Sequence, residues 1–180
     1  MRLLRKIINF VKSNKTNNEL VNSCVKNFVI RRQPKAYQGN KTFKSEAAKN
    51  NYISELKKSL NQFNTLDFIM EDDLYGVVYY FQKKITGTDA DNISKPIWDC
   101  LKNILYKDDK QIKLRIAGII DISKGDLNIF DFTNIRSEIM YELLDAFDQA
   151  DHFIYVECGK LDSSMYKFNI GYNENRTKVF

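Results

Sequence analysis

The chain has 180 residues, of which 43% are hydrophobic and 28% charged. That is the length and balance of one soluble globular domain, and it excludes disordered and fibrous classes. No apolar run approaches the ~20 residues of a membrane span, and Met1 to Lys12 alternates basic and apolar residues instead of forming a secretory leader. A cytoplasmic protein with no membrane partner is therefore expected. The net charge of +5 is unevenly spread: residues 1–60 hold 14 Lys+Arg against 3 Asp+Glu, and the rest hold 14 against 20. A basic half joined to an acidic half suits a polyanion-binding surface beside a carboxylate site for cations, although a solvated basic face fits the same numbers. Cys24, Cys100 and Cys158 are too widely spaced for a zinc pattern and odd in number for a disulfide framework; Cys100 reads as core.

Leu3, Leu4, Ile7, Ile8 and Val11 give the apolar side of a short basic helix within residues 1–22, read as docking on the domain. A first strand follows from Val25 to Arg31. It leads into a loop where Arg31, Arg32, Lys35, Lys41 and Lys44 interleave with Tyr37 and Phe43, a composition suited to DNA phosphate contacts. Tyr52, Leu56, Leu60 and Phe63 form a helical stripe. Leu74 to Gln82 is β-branched and aromatic, hence a strand. Helical spacing returns at Ile93, Ile97, Leu101, Ile104 and Leu105. A helix is expected from about Ile93 to Leu105; Pro96 fits best in a first turn, which allows a start as late as Ser94. Ile112, Leu114 and Ile116 alternate with Lys113 and Arg115 as a half-buried strand. A second helix is expected over 134–149, with strands at Phe153 to Val156 and Tyr166 to Tyr172. The order predicts an α+β domain: a small mixed β-sheet with helices packed on it.

The informative stretch runs Asp89-Ala90-Asp91-Asn92, then Lys95 and Asp99, then Tyr106, Asp108, Asp109, Gln111 and Ile112. Asp89 and Asp91 sit in the loop after one strand, Asp108 and Asp109 at the mouth of the next, with a helix between. If the strand–helix–strand unit brings both ends to one sheet edge, three or four carboxylates gather around one or two cations. Carboxylate oxygens select hard ions such as Mg²⁺ or Mn²⁺, which activate water and offset charge on a phosphate. With Asp91 in the first helical turn, Asp91, Lys95 and Asp99 share a face, and Lys95 stands ready for a scissile phosphate. The same residues also fit a plainer description: an N-cap, a surface i,i+4 pair and a turn.

The pattern Asp-x-Asp-Asn-x-x-Lys-x-x-x-Asp-x-Leu, followed by an aromatic and Asp-Asp-x-Gln-Ile, resembles the RusA family of Holliday junction resolvases. The resemblance is carried by residues 86–112 and more loosely by 25–121. It implies a nuclease acting on four-way DNA junctions in recombination and repair. By that likeness Asp89, Asp91 and Asp109 are metal ligands for Mg²⁺, with Mn²⁺ as substitute, and Lys95 is a catalytic lysine. Asp99 and Asp108 are accessory. A homodimer is implied, with one site for each strand cut. The chain reads as a single nuclease domain: a core of about 25–121, a closing strand at about 165–173, an added basic helix at 1–22 and an insertion at 122–164.

Two rivals stand beside this reading: a DNA-binding relative without activity, and a structure-selective nuclease for flaps or forks. Among the remaining residues, Glu71-Asp72-Asp73 reads as a turn and His152 as structural. Trp98 fits core packing better than base stacking, and Asp121, Asp126 and Asp131 lack the ligand pattern of a calcium loop.

Overall fold

The run LYGVVYYFQ forms β2 (Leu74–Gln82), and its place explains its composition. A computed structural model describes residues 25–35, 43–64, 69–123 and 130–165, and of Asp91 the backbone alone. Within it β2 is an interior strand of a four-stranded sheet of order β1-β4-β2-β3, where β1 is Lys26–Ile30, β3 Ile112–Asp121 and β4 His152–Lys160. β2 is buried along nearly its whole length, which is why it lacks polar alternation. It pairs parallel to β3 and antiparallel to β4, and β4 pairs antiparallel to β1, so the sheet is mixed as expected. The basic helix expected in 1–22, Tyr37, Lys41 and the closing strand expected about 165–173 lie outside the described residues, except Met165, which ends a 3-10 turn.

Both faces of the sheet are covered, because successive strand residues point to opposite sides. Phe28, Val78, Tyr80, Ile154, Val156 and Cys158 face α1 (Glu46–Phe63) and α2 (Ala90–Leu101). Val29, Phe81, Phe153 and Tyr155 face α3 (Ser137–Gln149), which buries Ile139, Leu143 and Ala146 against them. The segment 122–164, expected as an insertion, thus supplies more than an appendage. Its strand β4 lies between β1 and β2 and pairs antiparallel with both.

The bounds of α2 differ from the expected ones. The helix starts at Ala90, directly after Asp89 in extended conformation, so Pro96 sits inside it and not in its first turn. Pro96 has no N–H to give the Asn92 carbonyl, a mid-helix loss offset by an apolar side that is fully packed: Ile93, Ile97, Trp98 and Leu101 are buried. The helix ends at Leu101, short of Leu105, because Asn103 takes a left-handed φ of 62°, which asparagine tolerates better than most residues. The Tyr106 hydroxyl then donates to the Trp98 carbonyl and seals that end. Cys100 is core as read, and burial pushes its thiol up to about 11.

Candidate active site

The exposed side of α2 carries the polar part of the motif. Lys95 and Asp99 pair at 3.4 Å with 51% and 46% of their side chains exposed. Asp91 occupies the second position of the helix, four residues before Lys95. Asp89 is the N-cap residue, yet its side chain makes no capping hydrogen bond, so its carboxylate is not consumed by the helix end. At the other end, Lys102 Nζ lies 2.9 Å from Asp109 Oδ1. The hydrogen bond and positive charge of Lys102 hold the Asp109 carboxyl below its usual range, and the Lys102 ammonium is raised in turn. Asp109 therefore remains ionised to lower pH than an ordinary aspartate. The pair is intact above the ordinary carboxylate range and is lost as acidification passes the lowered value.

Asp108 does what a turn residue does. Its carboxylate accepts from the Lys110 amide at 2.9 Å, and Gln111 Oε1 accepts from the Asp108 amide at 2.8 Å, a capping box on the 3-10 turn Asp109–Gln111. Gln111 Nε2 also donates to the carbonyls of Met70 and Asp72. This motif glutamine thus ties the turn that carries Asp109 to the entry of β2. Nothing in local sequence signals it, since its partners lie about forty positions away.

The two acidic groups are not brought together within one chain. β2 and β3 run parallel, with Leu74 beside Ile112 and Gln82 beside Asp121. The loop ending in Asp89 leaves the Gln82 end, and Asp109 precedes the Ile112 end. α2 lies between them, and its 12 residues span about 18 Å. A strand–helix–strand unit places its helix termini at opposite sheet edges, so the expected single-edge cluster does not form. Among the described residues, no group of three or more His, Cys, Asp or Glu side chains is placed to hold a metal ion.

The basic loop is also differently engaged. Arg31 donates to Glu142 and Asp145 of α3, at 2.8 and 2.6 Å. Arg32 pairs with Glu55 of α1 and lies 4.9 Å over the Tyr52 ring. Both guanidinium groups fasten helices to the end of β1. Lys35 is half-buried, and Lys44 is exposed together with Lys57 and Lys58 of α1. Replacing Arg31 with Ala is accordingly expected to cost stability, about 1 kcal/mol for a partly exposed pair of ion bridges, and to leave DNA affinity within about twofold. A tenfold loss of affinity at unchanged melting temperature would return Arg31 to the DNA surface.

A scan against family models matches residues 26–125 to a family described as endodeoxyribonuclease RusA. The match runs from β1 through β3 and takes in Asp89, Asp91, Lys95 and Asp109. The match thus places the domain in the endodeoxyribonuclease class. The chain belongs to the RusA family. A search of curated proteins found no match.

Proposed function

We propose that the protein is a metal-dependent endonuclease that resolves four-way DNA junctions, and that each active site is built from two copies of the chain. The observation that carries this reading is the separation of Asp89 and Asp91 from Asp109 by the length of α2 in a chain that belongs to the RusA family. A twofold axis across the middle of α2 sets the N-terminal end of one helix against the C-terminal end of its partner. Asp89 and Asp91 of one copy then meet the second copy's acidic turn, twice per dimer. Two equivalent sites suit a substrate with two equivalent strands to cut.

The donor set fits a hard cation, because every proposed ligand is a carboxylate. Mg²⁺, or Mn²⁺ in its place, would supply a water of lowered pKa and offset the charge of the attacked phosphate. Lys95, exposed on the same helix face, would bind the scissile phosphate, with Asp99 fixing its ammonium. Lys102 occupies Asp109 until a metal displaces it. Lys102→Ala is therefore expected to lower the half-saturating Mg²⁺ concentration several-fold, read by titrating cleavage against metal. An unchanged midpoint would show that Asp109 is not a ligand.

The direct test offers the protein synthetic four-way junctions, flaps, forks and duplex, with Mg²⁺ or EDTA. Paired symmetric nicks in the junction alone support the proposal. Cleavage confined to flaps or forks selects a related structure-selective nuclease, and junction binding without any cutting selects a DNA-binding relative. Full cleavage in EDTA removes the metal from the account. Binding is expected to weaken steeply with salt, as phosphate contacts release counterions.

A further inference from the structure

The loop that delivers the chain from β2 to Asp89 is fastened by residues far outside the family match. At its start the Lys83 amide donates to the Asp151 carbonyl at 2.8 Å and Lys83 Nζ to the Asp148 carbonyl at 3.1 Å. Lys84 Nζ reaches the Asp151 carboxylate at 2.6 Å. Further along, the buried Gln82 side chain accepts from both the amide and the hydroxyl of Thr86, at 3.2 and 3.1 Å. The Thr86 and Thr88 hydroxyls lie 3.2 Å apart, across Gly87, whose φ of +66° makes the bend. Behind Thr86 stands the buried Tyr80. Its hydroxyl is 3.4 Å from Thr86 Oγ1 and 2.9 Å from His152 Nδ1, the first residue of β4. The ring of Tyr80 also stacks on the His152 imidazole at 6.0 Å between centroids.

A chain of polar contacts thus runs from His152 through Tyr80 and Thr86 to Thr88, the residue before Asp89. The Asp89 carboxylate has no capping bond of its own, so its placement follows from the backbone, which this loop holds on one side and the Asn92 amide, donating to the Asp89 carbonyl at 3.2 Å, holds on the other. Metal ligands need such support, because a displaced carboxylate loses most of its contribution to binding.

We infer that His152 and Tyr80, acting through Thr86, are positioning residues for Asp89, so that the segment beyond the RusA match helps to hold the metal-binding loop. The inference rests on the nuclease reading above. Its test compares Tyr80→Phe, His152→Ala and His152→Asn in three measurements: Mn²⁺ affinity of the DNA-free protein, amide exchange at residues 86–89, and junction cleavage against Mg²⁺ concentration. Tyr80→Phe and His152→Ala are expected to weaken Mn²⁺ binding about tenfold, speed exchange in the loop and raise the Mg²⁺ midpoint in parallel. His152→Asn, whose amide can take the place of Nδ1, is expected to restore all three to within about twofold. Unchanged Mn²⁺ affinity and loop exchange in Tyr80→Phe, a change of one oxygen atom that leaves the packing in place, overturns the inference even if His152→Ala fails to fold. Asp91→Asn, measured alongside, separates the two claims. If it cuts junctions as wild type does, the nuclease site itself is wrong and the positioning role falls with it. If it is inactive while Tyr80→Phe binds metal normally, the positioning role alone is wrong.

Discussion

A one-to-one mixture of Asp91→Asn and Asp109→Asn proteins, dissociated and reassembled, is expected to regain about a quarter of wild-type active sites, although neither variant cuts by itself. Asparagine preserves size and removes the charge that holds the ion. Each variant alone is therefore expected to lose cleavage by about three orders of magnitude or more, the scale of losing metal-based stabilisation of the transition state. Junction affinity is expected to hold or rise, since a negative charge facing phosphate has gone. The mixture discriminates because of where α2 puts the two residues. If each site takes Asp91 from one copy and Asp109 from the other, a mixed dimer concentrates both substitutions in one site and leaves its second site intact. Half of the dimers are mixed, and each makes a single nick in place of a pair. If both acids serve the same site from one chain, every site in the mixture is damaged and no activity returns. Lys95→Ala is expected to abolish most cleavage without rescue by added metal, because it removes a charge from the phosphate and not a ligand from the ion. Asp99→Asn is expected to do less, as its contact is with Lys95 at 3.4 Å. Near-wild-type cleavage by both aspartate variants would end the site assignment.

The elements were legible where one period dominates. β2 matches its expected bounds, Leu74–Gln82, because an aromatic and β-branched run buried on both faces needs no partner to declare itself. α1 and α3 follow from stripes at helical spacing, such as Tyr52, Leu56 and Leu60. The limits of α2 were less legible, since a proline suggests a first turn unless the loop before it is already fixed, and the left-handed Asn103 leaves no trace in periodicity. Longer-range facts were not legible at all. Glu71, Asp72 and Asp73 read as a turn, but they pair with Lys107, Lys160 and Lys113, three lysines from two other parts of the chain. Arg31 and Arg32 carry the composition of a phosphate-binding loop, while their acidic partners come from α3 and α1. The site shows both sides of this. Residue type and spacing pointed to Asp89, Asp91, Lys95 and Asp109, whereas their distribution over two ends of a helix depends on β2 and β3 being parallel, which no local pattern encodes.

Trp98→Ala is expected to destabilise the fold by about 3–5 kcal/mol, the range for emptying a large buried aromatic site. For a chain of this size that lowers the melting temperature by about 10 °C. Trp98 is fully buried, and its six-membered ring lies over Gly76 of β2, where any larger residue collides with it. A Cβ at position 76 would stand 2.5 Å from Trp98 Cζ2, so Gly76→Ala must push the indole out of its seat. That overpacking is expected to cost about 1–3 kcal/mol. The two positions form one contact, so their effects should not add. Trp98→Phe removes the ring atoms that Gly76→Ala strikes, together with an indole N–H that has no hydrogen-bond partner. The double variant is then expected to be more stable than the sum of the single changes, by about 0.5 kcal/mol or more. A tryptophan stacked on an unpaired base makes the contrary forecast: lower junction affinity for Trp98→Ala, an unchanged melting temperature and no coupling to Gly76. Because Trp98 sits on α2 one residue before Asp99, loosening its packing also frees the helix that spaces the two acidic ends. Cleavage by the Trp98→Ala protein that remains folded is therefore expected to fall further than its folded fraction, and cleavage in strict proportion to that fraction would show that the seat of Trp98 serves stability alone.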